Sequence, residues 1–362
     1  MKEIAALFLK LGATAFGGPA AHIALMEEEC VRKRAWLTRA EFLDLLGMAQ
    51  LIPGPNSTEL AIHIGHRRAG WPGLIVAGVS FILPAFAFVA ALAWAYTRWG
   101  YLPQADAFLW GLRPALVAII GQVVWTLGEA LLIEARLRIA ALTCLAAALF
   151  AGVPELVVLL GAGAVLAAAR VYGSRSKLNA VEPVSLSLIF LFFLKIGAVL
   201  FGSGYVLLSF LRGDLVQRFG WLSERQLLDA FAVGQMTPGP VFTTATFIGF
   251  LLQGWQGAVL ATLGIFLPSF IFVALSAPLL PKLRGRPATA AFLDGVNVAS
   301  LALIAAVLLR LGWGLRADPW SLVLAALALA ALLGPLKQRS TWVLLVCGLL
   351  GVLKQALQSG MT

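Results

Sequence analysis

Gln50-Leu51-Ile52-Pro53-Gly54-Pro55-Asn56-Ser57-Thr58-Glu59 breaks an apolar stretch with two prolines around a glycine. Proline lacks a backbone N–H and its ring collides with the preceding turn, so no helix runs through this segment. The pattern returns 185 positions later as Gln235-Met236-Thr237-Pro238-Gly239-Pro240-Val241-Phe242-Thr243-Thr244. In hydrocarbon a broken helix leaves N–H and C=O groups that lipid cannot satisfy. Such breaks survive only where protein buries them or they line a cavity. In secondary transporters, matched breaks in two repeats mark the substrate site. Two ordinary proline kinks in spanning helices are the simpler alternative, and the duplication weighs against them.

Composition supports the membrane setting. Of 362 residues, 60% are hydrophobic and 12% charged, against about 25% charged in a soluble domain. The apolar runs are of helical length, unlike the roughly ten-residue alternating strands of an outer-membrane barrel. The expectation is an all-α integral membrane protein with the lipid bilayer as its surroundings. The net charge of +10 is explained by basic cytoplasmic loops, so no nucleic-acid partner is expected. Cys30, Cys144 and Cys347 are scattered, and His22, His63 and His66 lack zinc-ligand spacing. No Gly-x-Gly-x-x-Gly opens a βαβ unit, so neither a metal nor a cofactor is expected. Met1-Lys2-Glu3 is not a basic leader and Lys10 interrupts the first apolar run, so the first helix is read as retained.

The duplication extends well beyond the prolines. Phe8-Leu9-Lys10-Leu11-Gly12 recurs as Phe193-Leu194-Lys195-Ile196-Gly197, Trp36-Leu37-Thr38 as Trp221-Leu222-Ser223, and Asp44 as Asp229. After the second Pro-Gly-Pro the offset becomes 184, pairing Leu83-Pro84-Ala85-Phe86 with Leu267-Pro268-Ser269-Phe270. The chain divides into a first repeat over 1–172, a polar linker over 173–183 and a second repeat over 184–362.

In the first repeat, spanning helices are expected near 5–25, 74–97 and 108–131, with a shorter pair near 139–151 and 154–170. The two halves of 40–66 are each too short to cross, since a spanning helix needs about 20 residues. They read as a re-entrant hairpin that enters and leaves on one side. Five crossings per repeat is an odd number, so two joined repeats face opposite ways. Charge agrees with this inversion. His66-Arg67-Arg68 becomes Phe250-Leu251-Leu252, and the weakly basic loop after residue 97 becomes the Lys282–Arg286 loop.

Inverted hairpins can meet at the midplane. Their second limbs begin at Asn56-Ser57-Thr58 and Val241-Phe242-Thr243-Thr244, and a helix start offers N–H donors and partial positive charge to an anion. Ser57, Thr58, Thr243 and Thr244 add hydroxyls. Helix capping is the structural alternative for Asn56 and Ser57. Lys10 and Lys195 are equivalent cations inside apolar helices, where a Lys costs roughly 2.5–3.5 kcal/mol. They are candidates to line an anion path, with snorkelling as the alternative for Lys10. Arg113 and Arg310 lack counterparts and are expected to pair with Asp294 or Glu129. Asp44, Asp229, Glu59 and His22 are candidates for a coupling proton; for the carboxylates, charge balance or helix capping is an alternative. A buried structural role is the more frequent fate of such a His. Gly17-Gly18-Pro19 and Gly202-Ser203-Gly204 are expected to unwind or thin a helix where a hairpin approaches.

These residues resemble the chromate ion transporter family in its two-domain long form. The first signature is Phe16-Gly17-Gly18-Pro19-Ala20-Ala21-His22-Ile23 with the Gln50–Glu59 run. The second is Phe201-Gly202-Ser203-Gly204-Tyr205-Val206 with Gln235–Phe242. Ser203 stands where the pattern has Gly. The resemblance implies export of chromate across the bacterial inner membrane, resistance as the outcome, and sulfate as a second dianion able to interact with the site. A general sulfate or oxyanion carrier, an anion channel and an intramembrane chromate reductase are the competing readings. The sequence leaves oligomeric state, a homodimer included, and the coupling ion open.

Overall fold

The structure is a computed structural model describing residues 1–16, 18–100, 102–132, 135–150, 158, 161, 184–201, 204–276, 287–334 and 340–359. Gly17, Gly202, the linker, most of 154–170 and the Lys282–Arg286 loop lie outside the described residues. Every regular element among those described is helical.

The helix expected near 5–25 is two helices, α1 (Lys2–Thr14) and α2 (Gly18–Glu27). Between them Ala15 turns extended, at φ −82° and ψ 94°. A π-helical turn over Glu28–Lys33 follows. Then α3 (Arg39–Ala49) opens on a reciprocal cap, in which Thr38 accepts from the Glu41 N–H and the Glu41 side chain from the Thr38 N–H. Beyond the first Pro-Gly-Pro come α4 (Asn56–Trp99), α5 (Pro103–Leu131) and α6 (Ala135–Phe150).

The second half repeats this order. Leu200 interrupts α7 (Leu186–Val199) before α8 (Gly204–Leu211), at φ −83° and ψ 111°. A π-helical turn covers Arg212–Arg218, and Ser223 with Gln226 caps α9 (Glu224–Met236) in the same reciprocal way. A 3-10 turn at Val241–Thr243 leads into α10 (Thr244–Ser276). The remaining helices are α11 (Pro287–Gly314), α12 (Pro319–Leu333) and α13 (Ser340–Ser359).

Helix α4 is not straight. Ala69 (φ −147°, ψ 26°) and Gly70 (φ 60°, ψ −148°) leave helical geometry and divide it into limbs 56–68 and 71–99. A Cβ on Gly65 would strike the Gly73 carbonyl, and one on Gly73 would strike that of Gly65. Residues eight apart in a straight helix are about 12 Å apart, so the chain doubles back at Ala69-Gly70. Helix α10 does the same at Gln253 (φ −146°, ψ 31°) and Gly254 (φ 57°, ψ −147°), with Gly249 against Gly257. The Thr246 and Thr262 hydroxyls hydrogen-bond at 2.7 Å across its two limbs.

Small residues set the remaining crossings. Gly12 of α1 lies on the Phe81 carbonyl of α4, and Gly197 of α7 on that of Ile265 in α10. Phe8, Met26, Phe42 and Phe81 form one core within the first half. A larger core joins α4 and α5 to the second half through residues such as Val89, Leu116, Phe193 and Phe231. Leu83, Phe88, Leu263, Ile271, Leu327 and Leu353 point outward and are exposed, as side chains facing acyl chains must. Among the described residues five helices are long and apolar enough to cross a membrane, the doubled-back α4 and α10 included.

Candidate functional site

The two Pro-Gly-Pro tips fix the site. Each tip glycine has positive φ, 135° at Gly54 and 87° at Gly239, a region open to Gly and strained for other residues. The Gly54 N–H donates to the Leu200 carbonyl at 2.7 Å, and the Gly239 N–H to the Ala15 carbonyl at 3.0 Å. Ala15 and Leu200 are the residues at which α1 and α7 break, and they are 185 positions apart, as are the glycines. Each tip therefore docks on the broken helix of the other half. Reciprocal contact of this kind is the mark of a two-fold relation. It also answers the accounting that burial demands, because a donor freed by one break meets an acceptor freed by the other.

Polar side chains gather behind the first tip. Ser57, Thr58 and Glu59, on the opening turn of α4, are buried. The Ser57 hydroxyl donates to His22 Nδ1 at 3.1 Å, and His22 Nε2–H donates to the Ala15 carbonyl at 3.0 Å. These two contacts fix the neutral tautomer. Glu59 Oε1 accepts from the Ser269 hydroxyl of α10 at 3.2 Å, and a Cβ on Gly54 would meet the same carboxyl. Thr58 Oγ1, Glu59 Oε2 and His63 Nε2 are buried without a hydrogen-bond partner among the described residues. An unpaired buried polar group costs roughly 1–3 kcal/mol.

The second tip is quieter. The Thr243 hydroxyl donates to the Pro240 carbonyl and that of Thr244 to the Val241 carbonyl, both at 2.8 Å. Buried Gln235 has an unpartnered Nε2. The halves thus share backbone geometry and differ in chemistry. Glu59 and Ser269 are replaced at the equivalent positions by Thr244 and Ala85.

The other candidates have partners away from the tip glycines. Lys10 bonds Glu29 of its own π-helical turn at 3.0 Å, and Lys195 bonds Asp214, the residue equivalent to Glu29, also at 3.0 Å. Both lysines are largely exposed and their acids mostly buried. The Lys10 hydrogen bond, with Arg34 adding a second, holds Glu29 down to about 2 against its burial. Asp44 is half-buried on α3. Asp229 is buried and joins the halves: Tyr96 donates to it at 3.0 Å, Arg113 lies at 3.3 Å, and Arg225 at 3.9 Å. Arg225 also pairs with Asp106.

Arg113 was expected to pair with Asp294 or Glu129; it pairs with Asp229, because α9 lies against α5, whereas Glu129 is exposed and the Asp294 side chain lies outside the described residues. Arg310 donates to the Ala148 carbonyl at 2.8 Å. Sequence reasoning also passed over Ser269, Tyr96 and His63. For Ser269 a signal existed, since Ala85→Ser269 and Glu59→Thr244 are polarity exchanges between repeats at positions that touch.

Among the described residues no group of three or more His, Cys, Asp or Glu is placed to hold a metal. Interrupted helices meeting over buried polar groups, with an apolar exterior, define a multi-pass helical membrane protein. The chromate transporter family model matches residues 2–168 and 187–352. The chain belongs to that family, whose members are transporters and not enzymes. It is 34% identical to a probable chromate transport protein of Synechococcus elongatus, over 86% of this chain and 84% of that one. It is also 34% identical to the chromate transport protein of Cupriavidus metallidurans, over 92% and 88% of the two chains. Against the chromate transport protein of Pseudomonas aeruginosa the identity is 34%, over 85% and 80%. No solved structure matches the chain.

Proposed function

We propose that the protein exports chromate from the cytoplasm across a bacterial inner membrane, conferring resistance, through two inverted repeats that rock around a shared oxyanion site. The observation that carries this reading is the reciprocal pair of hydrogen bonds, Gly54 N–H to Leu200 and Gly239 N–H to Ala15. Such a pair sets both helix openings, Asn56-Ser57-Thr58 and Thr243-Thr244, at the junction between halves. Their leading amides and partial positive charge suit a tetrahedral dianion, and sulfate, alike in charge and shape, competes for it. In this reading α3 and the 56–68 limb of α4 form a re-entrant hairpin, as do α9 and the first limb of α10. Lys10 and Lys195 tie each broken helix to its π-helical turn.

A membrane potential, negative inside, drives a dianion outward with about 2.3 kcal/mol per charge per 100 mV. The test is radiolabelled chromate flux in proteoliposomes with an imposed potential. Loaded vesicles are expected to release chromate faster when the interior is negative, and sulfate to slow the release. Flux indifferent to potential and to sulfate rejects the proposal. NADH-dependent loss of chromate colour by pure protein supports the reductase reading instead.

A further inference from the structure

Glu59 is a carboxyl fully buried in the first turn of α4. One oxygen accepts from Ser269, and Oε2 has no hydrogen-bond partner. No Lys, Arg or His among the described residues lies within ion-pair distance of it. The elements packed against α4 show why. Helix α10 and the Val241–Thr243 turn carry no ionisable residue. On α1, Lys2 and Glu3 sit at the start of the helix and Lys10 is held by Glu29. On α2, His22 is engaged by Ser57 and Ala15, and Glu27 pairs with Arg39 of α3. Glu41 of α3 pairs with Arg67, while Asp44 is half-buried. On α9, Glu224 pairs with Arg212, and Asp229 shares Arg113 and Arg225. Along α4 itself, His63 lies one turn on, and His66 with Arg67 and Arg68 lies at the far end of the limb.

An isolated carboxylate in such surroundings is expensive, whereas the neutral acid is tolerated and carries an O–H to donate. A dianion entering the same turn sharpens the choice, because a carboxylate there repels it and a carboxylic acid binds it. We propose that Glu59 is protonated when the oxyanion binds and donates a hydrogen bond to it from Oε2, so that each dianion is held together with one proton. This rests on the anion site proposed above. It adds that the first tip, and not the second, senses pH, since Thr244 at the equivalent position has no proton to exchange in this range.

The experiment compares wild type with Glu59→Gln, an isostere that keeps an N–H donor at every pH. Chromate affinity of both proteins is measured in detergent from mildly acid to mildly alkaline solution. Taking the ratio of the two cancels chromate's own protonation. The ratio is expected near one at the acid end, with wild type weakening at least tenfold relative to Glu59→Gln as pH rises. In lightly buffered alkaline solution, where chromate is a full dianion, wild type is expected to take up about one proton per chromate bound, and Glu59→Gln none. A flat ratio overturns the inference while leaving the site intact, since Glu59 would then keep one charge state throughout. Loss of binding in Glu59→Gln at all pH values, with Glu59→Asp active and both variants as thermally stable as wild type, overturns it too. Absence of chromate binding by all three proteins rejects the parent site and this inference together.

Discussion

Glu29 shows how a single carboxylate secures a broken helix. It is 5% exposed, and Lys10, Lys33 and Arg34 converge on it from α1 and from its own turn. Its folded value of about 2 lies below the ordinary 4.5. Its pairing therefore contributes stability that is complete above about pH 4.5 and lost as pH falls toward about 2. Thermal unfolding in detergent across that window is expected to show a fall in Tm for wild type and a smaller fall for Lys10→Met. If Lys10→Met abolishes flux while Tm hardly changes, Lys10 belongs to the anion path that its position in the sequence suggests. Residue chemistry was only partly legible. The lysines and carboxylates stood out because hydrocarbon makes them costly. Their partners did not, because Asp229 with Arg113 and Glu59 with Ser269 are separated by 116 and 210 positions, and periodicity carries no information at that range.

At the scale of elements, the proline breaks and their repetition were readable because Pro and Gly constrain the backbone whatever surrounds them. The break inside α4 was readable too, since the hairpin is expected to end at 66 and a spanning helix to begin near 74, and the reversal falls between them at Ala69-Gly70. How tightly the limbs close was not, because the packing of Gly65 on Gly73 and of Gly249 on Gly257 is a contact between limbs. Between the halves, α9 is fastened to α4 and α5 by Tyr96, Arg113 and Asp229. Arg113→Ala leaves the buried Asp229 carboxylate with Tyr96 and the more distant Arg225, and is expected to cost about 1–3 kcal/mol of stability. Arg113→Ala combined with Asp229→Asn is expected to recover part of that loss, because the uncompensated charge is gone. A double-mutant cycle by thermal unfolding measures the coupling. Strict additivity would mean that the pair does not hold the halves together.

For the whole molecule, the orientation of the two halves is what a carrier mechanism depends on. A two-fold axis can lie in the membrane plane, giving inverted repeats, or along its normal, giving parallel ones; the reciprocal hydrogen bonds at Ala15 and Leu200 fit either. The corners of α4 and α10 make the proposed inversion testable. Arg67 and Arg68 precede the reversal at Ala69-Gly70, whereas Leu251 and Leu252 precede that at Gln253-Gly254. Exposed Trp71 and Trp255 follow the two corners, as aromatic side chains do at a membrane–water interface. Basic residues collect on the cytoplasmic side, so under the proposed inversion the first corner faces the cytoplasm and the second the opposite side. Single cysteines replacing Arg68 and Gln253, in a background with Cys30, Cys144 and Cys347 changed to Ser or Ala, report the answer through a membrane-impermeant maleimide. Intact cells are expected to label position 253 and to spare position 68, and inside-out vesicles to show the reverse. Labelling of both positions from one side would make the repeats parallel. The tips would then enter from one face, and the proposed inversion would be wrong.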